Sequence, residues 1–129
     1  MASSSVNPAR VEDRRVPRRP VIEVSLRGHL TSDALVSELA KTTKLIGASS
    51  GRVGLIVDCT CMTGYELGAR TVFVEWNRAN RDRVRRVAIL TNNSMWRMVI
   101  SVMSLASSTD MKPFDGRDEA IAWLDSQAE

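Results

Sequence analysis

The chain has 129 residues and a formal charge of +3, enough for one domain with a single modest core and too short to hold a second catalytic domain. Residues 1–20 set Arg10, Arg14, Arg15, Arg18 and Arg19 against Glu12 and Asp13, which accounts for the whole excess and leaves the rest of the chain neutral. A neutral domain behind a basic arm excludes a dedicated nucleic-acid binder, whose positive footprint would cover the folded surface.

The arm carries Pro8, Pro17 and Pro20 and reads as a poorly ordered tail over 1–20, with one domain over 21–129. No apolar run approaches the ~20 residues that a bilayer requires, and the start lacks the apolar core of a secretion signal. A cytoplasmic protein without a transmembrane segment is expected.

Ile22, Val24 and Leu26 alternate with Glu23 and Ser25, which predicts a strand ended by Gly28. Thr31 or Ser32 can cap a helix running to about Ile46, with Leu35, Val36, Leu39 and Ile46 as its apolar stripe and GASSG at 47–51 as its stop. Val53–Val57 is a continuous apolar run, the pattern of a strand covered on both faces. The polar stretch that follows it reads as a loop. If Cys59 and Cys61 instead lay on a strand, period two would point both to one face. No second cysteine pair completes a four-ligand metal site, so ordinary semi-buried thiols are expected and no metal or cofactor.

Tyr65, Ala69, Val72, Phe73, Trp76 and Ala79 fall on one face of an amphipathic helix with a basic far end. Val87–Leu90 predicts another buried strand, and Asn92, Asn93 and Ser94 offer caps for a helix over 95–107. MKPF at 111–114 predicts a short strand held to an edge by Pro113, and Asp115 opens a last helix carrying Ile121, Trp123 and Leu124. Such alternation implies an α/β fold with right-handed crossovers and an open, mainly parallel sheet, and ligands of such folds sit at the carboxyl ends of strands. The segments after Val57 and after Leu90 are the places to look for function.

The register of GHL at 28–30, the LIVD strand ending at Asp58, RRVAIL at 85–90 followed by Trp96, and the closing F-D-x-x-D-E-A-x-x-W-L at 114–124 together resemble the SpoIIAA-like branch of the STAS fold. That fold is shared by bacterial anti-sigma-factor antagonists and by the cytoplasmic domains of sulphate transporters. The resemblance covers about residues 21–125 and implies a four- to five-stranded sheet flanked by about four helices, with no catalytic activity in most members. In the phosphoregulated antagonists a serine at the start of the helix after the strand's aspartate is phosphorylated by a partner kinase. Laid on this chain, the pattern puts Leu67 at the serine and Glu66 at the residue before it, so the usual switch is expected to be absent. Thr60, Thr63, Tyr65 and Thr71 remain as nearby hydroxyls. A phosphate on Thr63 or Tyr65 would meet a helix N-terminus, whereas the plainer reading is that these groups cap the helix and close the turn.

Catalysis would have to draw on His29, Asp58 and one of Thr60, Cys59 or Cys61, and no spacing sets that geometry. GASSG lacks the lysine of a phosphate-binding loop. Residues 76–86 hold Arg78, Arg81, Arg83, Arg85 and Arg86 against Asp82, a density that can grip phosphates and that equally suits a solvated helix end. The segment 95–107 is apolar nearly all round, with Arg97 its single charge and Met95, Met98 and Met103 as deformable side chains.

Two functions from different classes follow. One is a non-enzymatic regulatory module that docks a regulatory factor, a kinase or a second copy of itself through Asp58, Thr60, Thr63, Tyr65, Glu66 and Arg70 and the adjoining helix. The other is a carrier or sensor of a small apolar molecule or lipid, held around Trp76, Trp96, Met98 and Val102, residues that could instead form an apolar interface with a partner or a second copy. The second also follows from a resemblance in fold between SpoIIAA-like domains and the lipid-transfer domains of the SEC14 class.

Overall fold

The computed structural model describes residues 16–126; most of the expected arm and the last three residues lie outside that range. The elements are β1 (Val21–Leu30), α1 (Ser32–Ala48), β2 (Val53–Tyr65), α2 (Leu67–Ala79), β3 (Val84–Leu90), α3 (Ser94–Ser107), β4 (Met111–Phe114) and α4 (Arg117–Asp125). The four strands form one sheet in the order β1-β2-β3-β4, every neighbouring pair parallel.

Because the order never reverses, right-handed crossovers put the three connecting helices on the same side of the sheet. That side is filled by Leu35, Leu39 and Ile46 of α1, Phe73 of α2 and Ile100 of α3 against Leu55, Val57, Val87 and Ile89. On the other side α4 alone brings Ala120, Ile121 and Leu124 against Ile56, Ala88 and Leu90. The alternation in β1 follows directly: Ile22, Val24, Leu26 and Leu30 are buried under the three helices, whereas Glu23, Ser25, Arg27 and His29 face water. Gly54 is on the α4 side, where an added Cβ would lie 3.0 Å from the Arg85 guanidinium and 3.3 Å from Leu124, so glycine is what lets both approach.

β1 does not end at Gly28. That residue adopts a left-handed φ of 64°, and the strand continues to Leu30, giving β2 a partner well past Val57. The polar stretch after Val57 is therefore strand, not loop. Ser25 pairs with Asp58 and Arg27 with Cys61, so β2 carries one extra residue in that interval. A bulge of this kind reverses the side-chain alternation. Cys59 and Met62 pack against the core while Cys61 is exposed, so the two thiols do not share a face.

Helix starts are capped much as expected, with one exchange of roles. Thr31 Oγ1 accepts from Ala34 N and Asn93 Oδ1 from Trp96 N, whereas Asp115 does not cap α4, whose N-cap is Gly116. Asp115 pairs instead with Arg97 of α3.

Most of the basic run is spent on backbone carbonyls of other elements. Arg83 donates to the carbonyls of Ile46, Ser49 and Gly51 at 2.9, 3.0 and 3.3 Å, closing the end of α1. Arg78 donates to Ala106 at the end of α3. Arg85, 6% exposed, reaches Leu124 O, and Arg86 reaches Trp123 O at 2.7 Å with its guanidinium 4.4 Å from the indole centroid. The terminal carbonyls of a helix have no partner within it, and a cation there also meets the negative end of its dipole. Four of the five arginines are thus structural, which corrects the expectation of a solvated helix end.

Replacing Arg83 with Ala removes a charged donor from three carbonyls and should cost about 2 kcal/mol, read as a melting temperature several degrees lower in a thermal scan. Arg81→Ala, at an exposed position, should change it little; equal melting temperatures for the two variants would refute the clamp.

Candidate functional site

Doubly wound sheets bind ligands where the strand order reverses, and this sheet has no such point. Its opening has another origin. Pairing between β2 and β3 stops at Asp58 and Leu90, so β2 from Cys59 to Tyr65 projects beyond the sheet with β1 as its partner. A cleft of about 70 Å³ lies between this overhang and helices α2 and α3. Val57, Phe73, Ile89, Ile100 and Met103 make its apolar walls.

Three side chains from three elements meet beside it. The rings of Tyr65 in β2 and Trp96 in α3 pack edge to face, centroids 5.7 Å apart at 62°. Arg70 of α2 donates from Nε to Tyr65 Oη at 3.0 Å, with its guanidinium carbon 5.5 Å from the same ring. All three residues line the cleft. Thr91, 1% exposed, adds a hydroxyl that accepts from Asn93 N at 3.1 Å.

The expected site residues divide. Tyr65, Arg70 and Trp96 come together. Asp58 is held by its own neighbour, accepting from Thr60 N and Thr60 Oγ1 at 2.9 and 2.6 Å on one oxygen, an Asx-type local bond. Thr60 and Thr63 are exposed on the overhang. Glu66 precedes α2 without capping it and instead accepts from Ser32 N at 2.8 Å, so it caps α1. Trp76 donates from Nε1 to Thr43 Oγ1 at 3.0 Å, tying α2 to α1 away from the cleft. Met98 and Val102 are 72% and 65% exposed and face away from the cleft.

Sequence reasoning named Met95 and Met103 as deformable side chains but missed Val99, Ile100 and Leu105 and the division of α3 into two stripes. Val99, Ile100 and Met103 line the cleft beside Trp96, and they follow it at helical spacing, a second stripe on α3. Met95 and Leu105, 71% and 85% exposed, extend the outer stripe of Met98 and Val102 at steps of three, four and three. Leu67, 75% exposed at the first position of α2, belongs to the same end of the sheet.

The catalytic combination does not form. His29 pairs with Gly64 and Asp58 with Ser25, four residues apart along β1 and so ~13 Å along the strand. Burial, aided by the negative charge of Asp58, pushes the Cys59 thiol from the ordinary 9.0 up to about 12, so it carries no nucleophilic thiolate near neutrality. Among the described residues no three His, Cys, Asp or Glu side chains gather in a way that could hold a metal ion.

Iodoacetamide at pH 8 should therefore alkylate Cys61 and spare Cys59 in the native protein, resolved by fragment-ion mass spectrometry; equal labelling would contradict the burial of Cys59. Because the folded state holds the Cys59 proton more tightly than the unfolded chain, its contribution to stability is complete below pH 9 and is lost as the pH rises towards 12. Denaturant titrations across that range should show a shallower alkaline loss in Cys59→Ala than in the wild type.

Comparison with known proteins agrees with this architecture. No curated protein matches the chain significantly. A solved structure of an uncharacterized DUF3478-family protein with a SpoIIAA-like fold, from Shewanella loihica PV-4, superposes with a TM-score of 0.65 at 18% identity, covering 86% of this chain and 89% of that one. The SpoIIAA-like family itself matches residues 21–125. Four parallel strands in sequential order, three helices on one face and one on the other, and that match over nearly the whole described chain have one meaning: the protein belongs to the SpoIIAA-like family.

Proposed function

We propose that this protein is a non-enzymatic regulatory interaction module, a single domain acting in the bacterial cytoplasm, which docks a protein partner through the outer face of α3 and the adjoining start of α2. The observation that carries this reading is the apolar stripe of Met95, Met98, Val102 and Leu105, 65% to 85% exposed on a helix whose only charge, Arg97, is already paired with Asp115. Scattered apolar residues on a surface need no explanation, but a contiguous stripe does. Its spacing of three, four and three is the seam by which one helix packs on another, and two methionines in it can adapt to a partner's shape. The partner is a regulatory factor, a kinase or a second copy of the chain.

Leu67 supports the same reading. It takes the position of the phosphorylated serine in related antagonists, and it is exposed at the first turn of α2. A leucine there accepts no phosphate and adds apolar surface at the same end of the domain, so docking is constitutive with respect to that position.

A second reading rests on the cleft, which could hold a small apolar molecule. At about 70 Å³ it is well below the ~300–1,000 Å³ of drug-sized ligand sites, so a two-tailed lipid does not fit as the walls stand.

The double variant Met98→Lys/Val102→Lys alters only exposed side chains and should keep the fold and its melting temperature to within a few degrees. Native mass spectrometry of the wild type, alone and with extract of the source cell, should show a dimer or a defined complex that the variant loses. A wild type that stays monomeric and forms no complex the variant lacks would overturn the interaction reading.

A further inference from the structure

Beyond its apolar walls, the cleft has one charged lining residue among those described, Arg70, which is exposed. Its geometry leaves donors over. Nε is engaged by Tyr65 Oη at 3.0 Å, while the fork of the guanidinium carries further N–H groups. Tyr65 Oη accepts that bond, so its own proton is left to be given to something else. Two donors, one of them permanently charged, therefore stand side by side at a cleft whose other surface, apart from the Thr91 hydroxyl, is hydrocarbon, sulphur and indole. Cys59, the other acidic group in the lining, keeps its proton and presents no negative charge.

From this arrangement we infer that the cleft is a binding site for a small aliphatic carboxylate, its carboxylate held by the Arg70 guanidinium and the Tyr65 hydroxyl and its tail lying between Trp96, Phe73 and Met103. The inference rests on the second reading above, that the cleft holds a ligand, and names the chemical class. The charged donor and the neutral hydroxyl match the two oxygens of a carboxylate, and such charge-assisted bonds are the stronger kind. Tail length follows from space. A dry cavity of ~150 Å³ holds a six-carbon ring, so about 70 Å³ accommodates a tail of roughly three carbons by the same scale. Met62 and Met103 can yield to somewhat longer chains. The tail contacts Trp96, whose α3 carries the exposed stripe on its outer side, so occupancy would bear on the helix that docks a partner.

The test is isothermal titration calorimetry of the intact chain with butanoate and with butan-1-ol, which share a tail and differ in charge. Saturable one-to-one binding of butanoate, weakened about tenfold in butan-1-ol, is expected. Arg70→Gln, at an exposed position, should weaken butanoate by a similar factor and leave the alcohol unchanged, and Tyr65→Phe should weaken it severalfold. If alcohol and acid bind equally, or Arg70→Gln changes neither, the cleft is a ligand site but the carboxylate inference is overturned. If neither compound binds up to high millimolar concentration, both the inference and the ligand reading of the cleft fail, while the docking face of α3 stands on its own test.

Discussion

A helix ends with carbonyls that nothing inside it can satisfy, and here three of the four described helices meet that constraint with arginines drawn from one short stretch of chain. Arg83 closes α1, Arg78 closes α3, and Arg85 with Arg86 closes α4. These contacts join the amino end of the sheet into a single charged layer in which helix dipoles and cations offset each other. The same contacts fix how each helix lies on the sheet, because a guanidinium that forks to Ile46, Ser49 and Gly51 tolerates little sliding of α1. A lysine, with one point of charge, would not hold three carbonyls in this way.

With one end locked, the opposite end carries the opening, and apolar surface to spare runs along α3. β2 overshoots its partner β3, the cleft lies beneath the overshoot, and α3 divides its apolar residues between an inner stripe on that cleft and an outer stripe in solvent. The near-absence of charge on α3, which makes the segment unusual as a surface helix, reflects apolar residues on both faces, an inner stripe packed on the cleft and an outer one open to solvent. Arg97, the exception, is turned aside to Asp115.

Most of the architecture could be read in the sequence because hydrophobic period and burial are the same signal. Glu23 and Ser25 between Ile22, Val24 and Leu26 announced a strand wet on one side, and the apolar run Val53–Val57 announced one covered on both. What could not be read depends on partners distant in the chain. Residues 59–65 lack an apolar pattern and are strand because β1 supplies hydrogen bonds across 34 or so positions, and the bulge that separates Cys59 from Cys61 exists in the pairing alone. The arginines looked like a surface patch because their acceptors are backbone carbonyls, which no sequence pattern displays. At the site, Tyr65, Arg70 and Trp96 were singled out individually, but their convergence depends on how α2 and α3 sit over β2. Trp76 was assigned to the apolar ligand site or interface, and a hydrogen bond to Thr43 on α1 takes it elsewhere.

The sequential strand order bears on how the chain is made. Each new strand pairs with the one synthesised just before it, so the sheet can extend in step with emergence of the nascent chain, amino terminus first, without waiting for distant segments. The exception is α4. It follows all four strands in the chain, yet it alone covers Ile56, Ala88 and Leu90, and its contacts reach back to Arg18 and Glu23 near the start of the domain. Until α4 emerges, one face of an otherwise assembled sheet is bare, an exposed apolar surface of the kind that chaperones shield.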